Sequence, residues 1–223
     1  MPARKSAILP NYIWPFRQDH VIQRKMSGIK HSITDGDEMP PRYRLNKTVA
    51  LVGMMGAGKT AVGRAVSAKL GAPFLDSDAE IEAAANLSVP EIFTRDGEPF
   101  FRKRETEVIA RLLAEERCIL STGGGAFLAE VNRDNIAAYG VALWLDADLD
   151  LLWNRVRYKD SRPLLRTADP KATLTALYRD RVPLYRLADL SVRCDPRLSI
   201  DAMANRVIDK LLTRPDVLER LDA

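Results

Sequence analysis

The residues Gly53-Met54-Met55-Gly56-Ala57-Gly58-Lys59-Thr60 constrain this chain more than any other feature. They fit G-x-x-x-x-G-K-[ST] and stand between an apolar run and a helical one. Thr48-Val49-Ala50-Leu51-Val52 ahead of the loop reads as a strand, and the segment from about Lys59 to Leu70 reads as a helix closed by Gly71. Strand, glycine loop and helix in that order make a phosphate cradle. Glycines let successive backbone N–H groups turn inward around phosphate oxygens, and the helix N-terminus adds its partial positive charge. Lys59 is placed for the β- and γ-phosphates of a nucleoside triphosphate, and the Thr60 hydroxyl for Mg²⁺. Gly53, Gly56, Ala57, Gly58 and Ala61 complete the expected nucleotide contacts. The loop alone does not choose between a kinase, a hydrolase and a switch.

The rest of the chain alternates short apolar runs with longer amphipathic ones. Phe74-Leu75, Cys118-Ile119-Leu120, Val141 to Leu145 and a weaker Leu190-Ser191-Val192 read as strands. Ala79 to Ala85, Val89 to Phe93, Pro99 to Ala114 and a segment beginning near Lys171 and ending at Arg181 to Tyr185 read as helices. This pattern predicts an α/β domain, a parallel sheet covered on both faces. Its expected extent is residues 48–213, with a short tail over 214–223.

Residues 1–47 show no sustained periodicity and are interrupted by prolines at 2, 10, 15, 40 and 41. They are expected to be a flexible basic extension rather than an anchoring segment, and acidic residues at 19, 35, 37 and 38 argue against an organelle transit peptide. The extension holds nine Lys/Arg against four Asp/Glu, or +5, which leaves 25 against 26, or −1, for residues 48–223. The net charge of +4 therefore belongs to the extension, and the balance does not favour a nucleic-acid partner. No apolar run is long enough for a membrane-spanning helix. A cytoplasmic monomer is the expectation.

His20 and His31 are the two histidines, so the domain beyond them works without imidazole. That excludes Ser-His-Asp and Cys-His nucleophile systems and any His-bearing metal site there. Cys118 and Cys194 are too few for a disulfide framework and read as structural or incidental.

Four further clusters carry chemistry. Asp76-Ser77-Asp78 follows the second strand, so its carboxylates lie at the sheet edge where open α/β folds bind ligands. One carboxylate can serve a Mg²⁺ water shell while the other holds or deprotonates an acceptor hydroxyl; equally, Asp78 can cap the next helix. Ser121-Thr122-Gly123-Gly124-Gly125 offers no Asp at its strand end, which makes Asp76 the metal-side carboxylate, and its glycines suit either close ligand approach or a plain turn. Arg102 and Glu105 share one helical face, as a surface ion pair would. Arg162 lies in the charged stretch Val156 to Pro170, which has the profile of a mobile loop able to close over phosphates, and Arg181 ends a helix whose dipole it can complement.

In order, GMMGAGKT, D-S-D, F-R-x-x-E, G-G-G, R-P-L-L and R-x-P-L-Y resemble the shikimate kinase family, within the nucleoside-monophosphate-kinase-like P-loop group, from about Thr48 to Leu212. The resemblance implies a three-layer α/β/α P-loop kinase with a five-stranded sheet of order 2-3-1-4-5 and a lid. It also implies transfer of the ATP γ-phosphoryl group to the 3-hydroxyl of shikimate. On that basis Lys59, Asp78 and Arg162 are catalytic, Thr60 and Asp76 attend the magnesium, the latter through water, and Arg102 and Arg181 grip the substrate carboxylate. Glu105 orients Arg102, Gly123, Gly124 and Gly125 line the substrate, and Arg155 stacks on adenine, near Cys194-Asp195-Pro196-Arg197. A gluconate kinase shares the loop and lid, and a nucleotide-dependent switch shares the loop.

Overall fold

A computed structural model describes residues 43–115, 117–158 and 163–221. The chain enters through a short strand β1 (Tyr43–Leu45) and then β2 (Thr48–Val52), whose five residues are all buried. The phosphate loop leads into α1 (Lys59–Leu70), closed by Gly71 in the left-handed region. β3 (Phe74–Asp76) runs directly into α2 (Ser77–Ala85), followed by α3 (Val89–Asp96) and α4 (Glu98–Glu115). Ser88 and Glu91 form a capping box at the start of α3. Then come β4 (Ile119–Ser121), α5 (Glu130–Tyr139), β5 (Gly140–Asp146), α6 (Leu149–Val156), α7 (Pro170–Tyr185), β6 (Leu190–Arg193), α8 (Ile200–Leu211) and β7 (Leu218–Arg220).

The main sheet has the order β3-β4-β2-β5-β6 with every pairing parallel. Counted among its own five strands this is 2-3-1-4-5, as the resemblance implied. Val49 aligns with Ile119 on one side and Val141 on the other, and Asp76 aligns with Ser121. The carboxyl ends of β2, β3 and β4 therefore finish side by side. β2 and β5 are buried on both faces, hence their continuous apolar runs, and helices cover the sheet. Leu51, Ile119, Leu120, Leu143 and Leu145 are fully buried, each worth roughly 1.5–3 kcal/mol of transfer free energy.

The boundaries expected at residues 47 and 214 fall inside folded structure. β1 pairs antiparallel with β7, Asn46 N–H donates to Val217 O at 2.8 Å, and Lys47 meets Asp216 at 2.8 Å. Val217 and Leu218 are buried, so the ribbon is packed down as well as paired. The expected helix at Ala79 begins two residues earlier, because β3 stops at Asp76 and the carboxylate of Asp76, not that of Asp78, caps it. Among the described residues no helix is long and apolar enough to cross a membrane.

Candidate active site

Two clefts open at the carboxyl edge of the sheet. The first surrounds the phosphate loop. Gly53 and Gly56 have φ of +136° and +83°, and a Cβ on either would strike neighbours: Leu145 O at 2.9 Å and Val156 Cγ1 at 2.7 Å. Only glycine fits both the backbone and the space. Gly58 stands at the N-cap of α1 with no side chain bonded to the helix, leaving the N-terminal amides to the cleft. Lys59 is buried, and its Nζ donates to Gly53 O at 2.8 Å and Met54 O at 3.1 Å. Arg155 on α6 donates to Gly56 O and Ala57 O at 3.2 and 3.0 Å, holding the loop from its outer side.

Oxygen atoms gather beside the loop. Thr60 Oγ1 donates to Asp76 Oδ2 at 2.9 Å and lies 3.3 Å from Ser121 Oγ. Asp76 Oδ1 meanwhile accepts from Asp78 N–H and Ala79 N–H, so one carboxylate both caps α2 and faces Thr60. The cleft also takes in Ala61, Cys194, Leu198, Ile200 and Met203. Cys194 is buried with its Sγ 3.8 Å from Ala57 O, and burial pushes its thiol up to about 11, so it serves as an apolar wall.

The second cleft lies between α3, α4 and the glycine loop after β4. Phe93 and Phe101 pack at 4.9 Å between ring centroids and form its apolar side. Arg102 Nη1 donates to Glu105 Oε2 at 2.8 Å, while its Nε and Nη2 donate to Glu98 Oε1 at 3.1 and 2.9 Å. Burial works against the Arg102 charge, but the Glu105 and Glu98 carboxylates outweigh it and raise the guanidinium's pKa. Glu105 is 1% exposed; burial pushes its carboxyl up, beyond what Arg102 pulls down, and Asp78 and Glu98 add to the rise. The Arg102–Glu105 pair is thus half-buried at one end and fully buried at the other, unlike a surface pair.

The three glycines make room for these groups. A Cβ on Gly123 would lie 2.5 Å from Glu105 Oε1 and 2.7 Å from Asp78 Oδ1, and one on Gly125 would lie 2.5 Å from the Arg102 guanidinium. Gly123 N–H donates to Ser77 Oγ at 3.1 Å, and Arg181 Nη1 reaches Gly124 O at 3.4 Å. Asp78 borders both clefts, and Gly124 adjoins both.

Of the predicted site residues within the described range, all but Gly53 line one of these two clefts. Arg162 lies outside the described residues. Sequence reasoning missed Ser77 and Tyr185, whose hydroxyl also donates to Gly124 O. Their signal was available: Ser77 stands between the two aspartates, and Tyr185 follows Arg181 by one helical turn.

A family model described as shikimate kinase matches residues 55–212 of this chain. The chain belongs to the shikimate kinase family. It is 69% identical to the shikimate kinase of Ruegeria pomeroyi over 78% of its own length and 90% of that protein's. It is 60% identical to the one from Cereibacter sphaeroides over 79% and 88%. Among solved structures, the shikimate kinase of Acinetobacter baumannii in complex with shikimate superposes with a TM-score of 0.72 at 36% identity, covering 75% of this chain and 93% of that one. As a shikimate kinase family member the chain is an ATP-dependent small-molecule kinase.

Proposed function

We propose that this chain transfers the γ-phosphoryl group of ATP to the 3-hydroxyl of shikimate, giving shikimate 3-phosphate and ADP in the route to chorismate and aromatic amino acids. The observation that carries this reading is the position of Asp78, which borders the phosphate-loop cleft and the Arg102 cleft together. ATP takes the first cleft, its phosphates on the amides of Gly53 to Thr60 and on Lys59, its base between Arg155 and the segment from Cys194 to Leu198. Shikimate takes the second, its carboxylate held by the guanidinium forks of Arg102 and Arg181, which suit a planar carboxylate. Asp78 accepts the hydrogen bond of the attacking hydroxyl and then its proton.

Mg²⁺ fits the donors present. It prefers hard oxygen ligands, few of them from protein, with phosphates and waters completing its shell, and Thr60 Oγ1, Asp76 Oδ2 and Ser121 Oγ cluster at the loop. Among the described residues no group of three or more His, Cys, Asp or Glu side chains can hold a metal by itself, so the ion would arrive with the triphosphate. Thr60 would bind it directly and Asp76 through water. When bound it offsets negative charge on the β- and γ-phosphates.

Little covalent chemistry is then asked of the protein. Lys59 and Arg162 balance charge on the transferred group, while the arginine pair fixes the acceptor in line. A cytoplasmic monomer completes the reading. The test is ADP formation by the purified chain with MgATP and shikimate, gluconate or no acceptor. Turnover that depends on shikimate is expected; equal rates in all three would refute the acceptor assignment and favour slow hydrolysis by a switch.

A further inference from the structure

Tyr185 is 1% exposed near the end of α7, and its hydroxyl donates to Gly124 O. Arg181, one turn earlier, reaches the same oxygen only at 3.4 Å, beyond the usual N–H···O range of about 2.7–3.2 Å. Tyr185 is therefore the principal donor to that carbonyl. The tyrosine ring stacks on Trp144 with centroids 6.2 Å apart and planes at 25°, and Trp144 in turn abuts Gly53, where a Cβ would meet its Cδ1 at 3.2 Å. Gly124 itself packs on the phosphate loop, a Cβ there lying 3.2 Å from Met55 N. The oxygen that Tyr185 holds thus belongs to a peptide seated between the two clefts.

We propose that the Tyr185 hydroxyl is a positioning group for the acceptor: by satisfying the Gly124 carbonyl it leaves the Arg181 guanidinium to the acceptor's carboxylate. Gly124 is partly buried, and its carbonyl pairs with a donor that lies within reach. Without the hydroxyl, Arg181 is the donor within reach, and a guanidinium turned onto Gly124 O is withdrawn from a carboxylate in the cleft. Burial pushes the Tyr185 phenol up to about 12 against the pull of Arg181, so the hydroxyl keeps its proton at any ordinary assay pH. This inference rests on the assignment of Arg181 to the acceptor carboxylate.

The test is Tyr185→Phe, which keeps the ring and its Trp144 contact. KM for shikimate should rise about five- to tenfold, the scale of one lost hydrogen bond, with KM for ATP changed by less than about twofold. In an Arg181→Ala background the same substitution should cost less than about twofold in kcat/KM for shikimate, because the guanidinium that it protects is gone. Equal losses in both backgrounds, parallel rises in both KM values, or a variant that unfolds or melts well below the parent would overturn the proposal and leave Tyr185 a packing residue. A parent chain that turned over no shikimate would remove the acceptor assignment, and this inference with it. That failure is seen before any variant is compared.

Discussion

Arg102 stands between two carboxylates of different character, exposed Glu98 and buried Glu105, and lines the second cleft. Arg102→Ala should raise KM for shikimate by about 10- to 100-fold, the scale of a charge-assisted contact, with a smaller effect on KM for ATP. Lys59→Ala should instead lower kcat by about 10²- to 10³-fold, since its charge opposes that of the moving phosphoryl group. Equal, small effects from both substitutions would contradict the division into two clefts. Glu105 gives a pH signature. Burial, with Asp78 and Glu98, keeps its carboxyl above the ordinary glutamate value against the pull of Arg102. The folded chain then holds this proton to higher pH than the unfolded chain, so stability falls as pH rises from the ordinary value through the raised one. Glu105→Gln removes that loss, and the variant's melting temperature should gain on the parent's across the window; a parent that gains on the variant would contradict the assignment. The Arg102 and Glu105 spacing was readable in the sequence. Its burial was not, because the covering glycine loop lies far along the chain.

At the scale of elements, the site is two glycine turns held by strands that end together. Gly53→Ala must carry a side chain at φ +136° against Leu145 O, and should cost about 2 kcal/mol or more of stability, measured by chemical denaturation. Gly125→Ala differs: its φ is an ordinary −103°, and the added methyl meets the Arg102 guanidinium first. That variant should keep the parent's stability to within about 1 kcal/mol while KM for shikimate rises. A destabilised Gly125→Ala with unchanged KM would show that the loop is only a turn. The phosphate loop was legible because its chemistry is local, eight residues between a strand and a helix. The cap of α2 was not, since Asp76 and Asp78 are equivalent in composition and only the end of β3 decides between them. Helices α5, α6 and α8 lie in sequence that the strand pattern passed over, although Met203, Val207 and Leu211 mark the buried face of α8 at helical spacing.

Across the whole molecule, the two ends of the folded region close on each other. Besides the β1–β7 register, Arg44 pairs with Glu219, and Asp216 takes bonds from Arg214 and Lys47 that hold its carboxyl well below the usual range. β3 and β4 are as short but open on the apolar pairs Phe74-Leu75 and Ile119-Leu120, whereas β1 (Tyr43-Arg44-Leu45) and β7 (Leu218-Glu219-Arg220) offer no apolar run, which is why this ribbon was invisible in the sequence while the five-stranded sheet was not. Ending the chain at residue 213 removes buried Val217 and Leu218 and should lower stability by about 3 kcal/mol, read as a drop of several degrees in melting temperature. Deleting residues 1–38 spares the ribbon and should leave turnover and melting temperature as in the parent; lost activity there would assign the extension a part in catalysis. On the proposed function, one hydroxyl of shikimate receives the phosphoryl group where the two clefts meet. The direct measurement is ³¹P and ¹H NMR of the product formed from MgATP and shikimate. A single new phosphorus resonance coupled to the proton on carbon 3, appearing in step with ADP, is the predicted result. Inorganic phosphate alone, or phosphorylation at another hydroxyl, would contradict it.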